Sequence, residues 1–168
     1  TMKVLLVNGS PHEKGCTYTA LEEVSRTLLA EGIGTEIFQI GAGPLAGCTD
    51  CGNCTKTGRC IFDDRVNEFL DMAGSTDGFV FGSPVHYASA AGSICSFMDR
   101  VFYADSRSGR RSFYLKPAAA VVSARRAGTT AALDRIDRYF AISEMPVISS
   151  RYWNMVHGNS PEEVKKDL

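Results

Sequence analysis

Residues Lys3–Thr17 read KVLLVNGSPHEKGCT, and this stretch decides the fold. Lys3–Asn8 is a short apolar run with β-branched residues, which predicts a strand buried on both faces. Gly9–Pro11 ends the run, because glycine and proline favour a turn. Gly15–Thr17 then leads into apolar residues at helical spacing from Ala20 onward. The stretch therefore predicts a strand, a tight polar loop and a helix.

The loop between this strand and helix is a candidate anion site. The first turn of a helix has unpaired backbone N–H groups and carries partial positive charge. Ser10, Thr17 and Thr19 can add hydroxyl donors, and His12 or Lys14 a cation. The loop lacks both the G-x-x-x-x-G-K-[ST] and the G-x-G-x-x-G pattern. A monophosphate site and an ordinary βα turn both remain open.

Composition excludes several classes of protein. A chain of 168 residues suits a single domain, and its 18 basic and 19 acidic residues argue against nucleic acid as a partner. No apolar run has the length of a membrane span, and no leader precedes the first strand. We therefore expect a cytoplasmic protein without a membrane partner. The sequence predicts a helix that begins at Ser160-Pro161 and is still short at Leu168, the last residue of the sequence. We therefore expect that the C-terminal helix is incomplete and that the natural chain continues.

Strand and helix patterns alternate along the chain. The predicted strands are Lys3–Asn8, Thr35–Ile40, Asp77–Gly82, Lys116–Ser123 and Met145–Ser149. The predicted helices are Tyr18–Glu31, Asp63–Met72, Ala91–Phe102 and Thr130–Phe140. This alternation is typical of a doubly wound parallel sheet with helices on both faces, here in one domain spanning 1–168.

Three loops follow central strands of this sheet. They are Gly9–Thr17, Ser83–Tyr87 and Ser123–Thr129, and each is rich in Gly, Ser, Thr or Arg. In doubly wound sheets the ligand binds beyond the carboxyl ends of the strands. We therefore expect the three loops to converge on one polar ligand.

Four of the six cysteines lie in one loop, residues 47–60. Cys48, Cys51, Cys54 and Cys60 follow the pattern C-x2-C-x2-C-x5-C, whose two-residue gaps suit thiolates turned toward one iron–sulfur cluster. Zinc, unmetallated thiols and a disulfide remain alternatives. Cys95 has the pattern of a small core residue.

Together these segments resemble a known family. GSPHEKGCT, the four-cysteine pattern followed by Asp63-Asp64, and GSPVHYASAAGSICSFMDR are similar to the NADPH-dependent FMN reductase and iron–sulfur flavoprotein family of the flavodoxin superfamily. The resemblance extends from Lys3 to about Gly158. It implies a flavodoxin-like five-stranded parallel sheet of order 2-1-3-4-5 that binds FMN.

The resemblance also implies roles for individual residues. The FMN phosphate would be held by Ser10, His12, Cys16 and Thr17. The ribityl chain and isoalloxazine would be lined by Pro84, Val85, His86 and Tyr87. Backbone N–H groups for the flavin edge would come from Ala124, Arg125, Arg126, Ala127 and Gly128. Some relatives carry a [4Fe–4S] cluster on cysteines corresponding to Cys48, Cys51, Cys54 and Cys60.

Several further residues each allow two functional interpretations. Arg125 and Arg126 either bind a nicotinamide phosphate or are solvated, and His86 either donates a proton or stacks. The aromatic cluster Tyr152–Asn154 either caps a flavin or packs at an interface. We expect His157 to be structural, and Asp99-Arg100 to be a helix-closing capping pair or an interface contact.

The leading functional hypothesis is an FMN-dependent oxidoreductase that passes electrons from NAD(P)H through FMN to a small-molecule or protein acceptor. Such chemistry resides on the flavin and needs no protein nucleophile. An open ring face beside aromatic residues suggests a homodimer or homotetramer. The alternative is a non-enzymatic electron carrier that links ferredoxin to FMN through an iron–sulfur cluster. A third possibility is a metal- or redox-sensing module that binds no flavin.

Overall fold

The computed structural model describes all residues from Thr1 to Leu168, arranged around a parallel sheet. The strands are β1 (Lys3–Asn8), β2 (Gly34–Gln39), β3 (Gly78–His86), β4 (Ser89–Ala90), β5 (Ala118–Ala124) and β6 (Met155–His157). They form a sheet of order β2-β1-β3-β5-β6, and the short strand β4 pairs antiparallel with β3. The helices are α1 (Cys16–Ala30), α2 (Asn53–Thr57), α3 (Arg65–Ala73), α4 (Gly92–Ser108), α5 (Thr129–Ile142) and α6 (Pro161–Val164), followed by a 3₁₀ turn at Lys165–Asp167.

The central strands are apolar because helices cover both faces of the sheet. Alternate residues of β1 enter different cores: Leu5 and Val7 pack with α3, α4 and α5, whereas Leu6 packs with α1 and α6. The first core is rich in phenylalanine, and Phe69 of α3 contacts both Phe79 and Phe81 of β3. This arrangement confirms the predicted doubly wound sheet with helices on both faces. No helix is both long enough and apolar enough to cross a membrane.

The predicted fifth strand is misplaced. Residues 145–149 make only an isolated bridge, between Val147 and Ala118, and the fifth parallel strand is β6, paired with Val122–Ala124 of β5. Pro146 has no N–H to donate, and Glu144, two residues earlier, has a positive φ of 58°, so the segment does not continue as a regular ladder. With β6 in the fifth place, the observed parallel order matches the predicted 2-1-3-4-5.

The third strand and the helix after it are both longer than predicted. Ser83–His86, predicted as loop, continues β3: Ser83 and Pro84 still pair with β5, and the Ser83 hydroxyl accepts a hydrogen bond from the backbone N–H of Ala91 (3.1 Å). Helix α4 continues past Phe102 to a C-cap at Gly109 (φ 74°). The polar sequence of its last turns is typical of a surface loop, which is why the predicted helix is too short.

Two other boundaries depend on side-chain caps. Asp64 caps α3 by accepting a hydrogen bond from the N–H of Val66, and Ser160 caps α6 by accepting one from Glu163. Pro161 occupies the first turn of α6, as predicted. The loop at residues 47–60 was predicted to lack regular structure, but it contains the short helix α2 between two left-handed glycines, Gly52 and Gly58. Those glycines turn the chain sharply at both ends of α2.

Candidate functional site

Three helices begin at the carboxyl edge of the sheet without a side-chain cap. They are α1, α4 and α5, which follow β1, the β3–β4 hairpin and β5, and their N-caps are Gly15, Ala91 and Gly128. Of the backbone N–H groups at these three helix starts, only that of Ala91 has a side-chain partner, the hydroxyl of Ser83. Uncapped first turns present backbone N–H donors and partial positive charge. The predicted convergence of polar loops therefore lies at an edge that favours an anionic or polar ligand.

The loop after β1 is held in shape by two amide side chains. Buried Asn8 accepts a hydrogen bond from the backbone N–H of Ser10 (3.2 Å) and donates one to Gln39 (2.6 Å). Gln39 in turn donates to the carbonyl of Ser10 (2.8 Å). Neither Asn8 nor Gln39 was predicted from the sequence, although a polar residue at the end of a buried strand is a usable signal. This frame preorganises the loop before any ligand arrives.

The predicted phosphate residues lie along this loop and the first turn of α1. The Ser10 hydroxyl accepts a hydrogen bond from the N–H of His12 (3.1 Å), and Thr17 is buried against Ser123. An open cavity of about 500 Å³ lies beside them, lined by Pro11–Cys16 together with Asn159 and Pro161 of the α6 end. The loop and the start of α1 thus border a space that could receive a phosphate.

Cys16 begins α1 at the side of this cavity. Its thiol points toward the carbonyl of Gly158 (4.0 Å). Partial burial raises the pKa of Cys16, and the carboxylates of Glu163 and Glu162 raise it further. The thiol is therefore neutral at pH 7, which removes a charge that would repel an anion.

The second and third loops meet through close backbone packing. Gly128 has a φ of 100°, and a Cβ there would lie 2.8 Å from Val85 and 2.9 Å from the carbonyl of Ala88. Gly9 is equally confined, because its Cβ would lie 2.5 Å from the carbonyl of Gly82. Only glycine allows these loops to approach so closely. The β1, β3 and β5 loops therefore form one continuous surface.

Several predicted ligand residues on this surface project into solvent. His86, Tyr87, Arg125 and Arg126 are all exposed. Tyr87 has a φ of 65° at the tip of the β3–β4 hairpin. Neither Arg125 nor Arg126 forms an ion pair or a side-chain hydrogen bond. Two unpartnered cations therefore stand at the edge where the helices begin.

The aromatic cluster lies elsewhere. Tyr152 and Trp153 pack edge to face (6.4 Å between ring centroids), and the Asn154 amide donates to the carbonyl of Ala120 in the middle of β5. Within one chain the cluster therefore flanks the sheet and does not join the loops at the carboxyl edge. His157 in β6 lies 3.5 Å from Asp167.

The four clustered cysteines line one small pocket. Cys48 and Cys51 are exposed, Cys54 on α2 is buried and Cys60 is half-buried, and all are free thiols. Asp50 (φ 52°) lies in the turn between the first two cysteines. No three His, Cys, Asp or Glu side chains are placed to hold a single metal ion. Four free thiols around one pocket are a donor set of the kind that iron–sulfur clusters use.

Asp99 and Arg100 do not close a helix, contrary to the prediction. They lie in the middle of α4, where Asp99 accepts a hydrogen bond from Tyr139 and approaches Arg135 (3.7 Å), joining α4 to α5. Arg100 is only 2% exposed and lines the cysteine pocket. The prediction failed because the polar residues after Phe102 resemble the end of a helix. The sequence signal that could have indicated a partner for Arg100 was the acidic residue Asp64, shortly after Cys60.

Comparison with known proteins gives a consistent family assignment. A family model described as NADPH-dependent FMN reductase matches residues 2–160. An iron–sulfur flavoprotein of Methanocaldococcus jannaschii is 30% identical, with the match covering 99% of this chain and 88% of that protein. An iron–sulfur flavoprotein of Archaeoglobus fulgidus is 28% identical, over 60% of this chain and 46% of the relative. The chain thus spans less than half of that second relative.

Solved structures agree on the fold. RosB, in a crystal structure with the bound intermediate 8-demethyl-8-formylriboflavin-5′-phosphate, superposes with a TM-score of 0.73 at 15% identity, covering 96% of this chain and 66% of that one. A flavodoxin from the domain Archaea superposes with a TM-score of 0.63 at 13% identity, covering 99% and 90%. The architecture is therefore flavodoxin-like.

Proposed function

The chain belongs to the NADPH-dependent FMN reductase family, a family of FMN-dependent oxidoreductases, and we propose that it passes electrons from NAD(P)H through FMN to an acceptor. The observation that carries this proposal is the convergence of three uncapped helix N-termini at one edge of the sheet. FMN bound there would supply hydride acceptance and stepwise release of electrons. The residues described below bind and orient the reactants.

The phosphate of FMN fits the loop after β1. The first turn of α1 offers unpaired N–H groups, and Ser10 and Thr17 offer hydroxyls. His12 adds a side chain that can carry positive charge, and the neutral thiol of Cys16 does not repel the anion. A phosphate at a helix N-terminus is a common arrangement in proteins. We assign these four side chains to the phosphate.

The flavin ring and ribityl chain fit between the second and third loops. Pro84, Val85, His86 and Tyr87 would line one side. The backbone from Ala124 through Arg125 and Arg126 to Gly128 would donate N–H groups on the other. Donors aimed at the flavin edge stabilise the added negative charge after reduction. Exposed His86 would hold or deliver a proton at this edge.

The nicotinamide nucleotide would be held by charge. Arg125 and Arg126 are exposed and unpartnered, so their charges are free to meet phosphate groups. They adjoin the proposed ring site, which brings the nicotinamide near the flavin. The choice between NADH and NADPH would follow from whether these arginines contact an additional ribose phosphate.

We also assign a [4Fe–4S] cluster to Cys48, Cys51, Cys54 and Cys60. Support comes from the shared pocket, the free thiols and two relatives that are named iron–sulfur flavoproteins. Such a centre would add one-electron transfer to the flavin chemistry. It also raises a second candidate function, a non-enzymatic carrier in which ferredoxin supplies electrons through the cluster to FMN.

The remaining assignments concern the assembly. We propose a single cytoplasmic domain that acts as a homodimer or homotetramer. Exposed apolar residues beside β6, namely Val147, Ile148, Tyr152 and Trp153, support an interface there. Neither nucleic acid nor a membrane is proposed as a partner.

Anaerobic reduction tests the function. FMN-loaded protein, reconstituted with iron and sulfide, is mixed with NADPH, NADH or reduced ferredoxin while the flavin absorbance is followed. Prompt bleaching by a nicotinamide supports the reductase. Bleaching by ferredoxin alone supports the carrier. Failure to bind FMN would contradict both and favour a sensing module.

A further inference from the structure

Arg100 is a buried cation that contacts one of the four clustered thiols. Its Nε and Nη2 atoms each lie 3.2 Å from the sulfur of Cys60. Its Nη1 and Nη2 atoms also donate to the two carboxylate oxygens of Asp64, both at 2.8 Å. One planar guanidinium therefore donates hydrogen bonds to a sulfur and to a carboxylate at the same time, a geometry that lysine cannot reproduce.

The same side chain joins both ends of the cysteine segment. Nη1 approaches the carbonyl of Ala46, just before the first cysteine, at 3.3 Å. The guanidinium also stacks on Phe62, with 4.8 Å from Cζ to the ring centroid. One turn along α4, Tyr103 donates to Asp50 between the first two cysteines (2.7 Å). Helix α4 therefore fixes the segment at three places, and Arg100 forms the two contacts at its ends.

The charge on Arg100 is maintained despite its burial. A guanidinium remains protonated in proteins, and its two hydrogen bonds with the Asp64 carboxylate stabilise the positive charge in this buried position. Asp64 is partly exposed (29% of its side chain) and is itself held as the cap of α3. A fixed positive charge and a fixed negative charge thus lie side by side at the edge of the cysteine pocket.

These contacts have a consequence for an iron–sulfur centre in that pocket. Reduction by one electron adds negative charge to the cluster and requires no proton. N–H donors and a positive charge at a ligand sulfur favour the reduced form, and a nearby carboxylate disfavours it. We propose that Arg100 and Asp64 set the reduction potential of the centre held by Cys48, Cys51, Cys54 and Cys60, Arg100 raising it and Asp64 lowering it. This inference rests on the cluster assigned above.

Substitutions of opposite sign separate an electrostatic role from a structural one. Arg100→Gln removes the charge and the forked donors, and Arg100→Lys keeps the charge but loses the fork. Asp64→Asn removes the negative charge and keeps a side chain that can cap α3. Arg59→Lys is the matched control, because Arg59 is exposed in the same segment and pairs with Asp71 (2.7 Å). A purely structural role would make the first three variants lose cluster together without opposed shifts.

The experiment is an anaerobic redox titration of each reconstituted variant with dithionite. The cluster is followed by electron paramagnetic resonance, and iron, sulfide and FMN are determined per chain. We expect a more negative cluster potential in Arg100→Gln, a smaller negative shift in Arg100→Lys, a less negative potential in Asp64→Asn and no change in Arg59→Lys. If Arg100→Gln loses its cluster, the proposal is tested by the other two variants, whose cluster potentials should shift in opposite directions: more negative in Arg100→Lys and less negative in Asp64→Asn.

Two different failures can be told apart. Shifts in the same direction, or no shift, in variants that hold a full cluster would overturn the role of Arg100 and Asp64 alone. A wild-type protein that binds FMN but takes up no iron or sulfide would overturn the cluster assignment and this inference with it. In that case the flavin function would stand.

Discussion

The hydroxyl oxygens of Thr17 and Ser123 lie 2.8 Å apart in the interior, where the start of α1 meets the end of β5. Thr17 is 1% exposed and Ser123 is 4% exposed, so in the FMN-free protein each hydroxyl is paired with the other and not with water. The pair joins the first and third loops of the candidate flavin site from below. The position of one loop therefore depends on the other.

Removing that hydrogen bond should destabilise the protein. We expect Thr17→Val to lower the free energy of unfolding by about 1–2 kcal/mol, because it leaves the Ser123 hydroxyl buried without a partner. Thr17→Ser keeps the hydroxyl and is the control. Urea unfolding of the FMN-free protein measures both, and equal stability of Thr17→Val and the wild type would refute the structural role of this pair.

Gly128 should not tolerate a side chain. Its positive φ, and the 2.8–2.9 Å that would separate an added Cβ from Val85 and Ala88, predict that Gly128→Ala costs about 2 kcal/mol or more and weakens FMN binding. Gly74→Ala is the control: Gly74 has helical angles (φ −59°, ψ −36°) and open space around it, so that variant should be neutral or slightly more stable. Thermal unfolding with and without FMN distinguishes the two variants.

The pKa of Cys16 gives a prediction about pH. Because burial raises this pKa above the ordinary thiol value of about 8.5, Cys16 should react with iodoacetamide more slowly than a cysteine in an unfolded peptide at neutral and mildly alkaline pH. The folded state binds this proton more tightly than the unfolded state. Its contribution to stability is therefore present below the unfolded pKa and is lost as pH rises toward the folded pKa.

Mass spectrometry of the alkylated peptides measures the rate at Cys16 itself. Adding FMN should slow the reaction further, because the phosphate would cover the first turn of α1. Alkylation of Cys16 that is fast at pH 7 and indifferent to FMN would contradict both statements.

Arg125 and Arg126 should affect nicotinamide binding and leave the flavin in place. Loss of one charge-assisted contact to phosphate is worth about 1.5–3 kcal/mol. We therefore expect Arg125→Gln or Arg126→Gln to raise the KM for the preferred nicotinamide about tenfold or more with little change in kcat. Arg138→Gln on α5 is a charge-matched control. Unchanged KM in both loop variants would place the nicotinamide elsewhere.

The sequence predicted the elements that are decided locally. The stretch Lys3–Thr17 forms β1, a loop and α1 as expected, because an apolar run, a glycine-proline turn and helical spacing are short-range signals. The parallel sheet also follows from the alternation of strands and helices, whereas its strand order was implied by the family resemblance. The four cysteines were predictable as members of one loop because they lie close together in the sequence.

Features that depend on distant residues were missed. Met145–Ser149 has strand-like composition, but β5 pairs instead with Met155–His157, and composition cannot rank two candidate edge strands. In the sequence Arg100 resembles a surface residue. Its partners Cys60 and Asp64 lie next to it only because α3 packs against α4. Such pairings are decided by tertiary structure, which local patterns do not contain.

The most direct measurement of the central claim is a fluorescence titration of the FMN-free protein with FMN and with riboflavin. The two ligands share the ring and the ribityl chain and differ only in the phosphate. If the phosphate binds at the N-terminus of α1, FMN should bind more tightly by about 2 kcal/mol or more, roughly thirtyfold. Equal affinity for the two ligands would contradict the site proposed at the carboxyl edge of β1, β3 and β5.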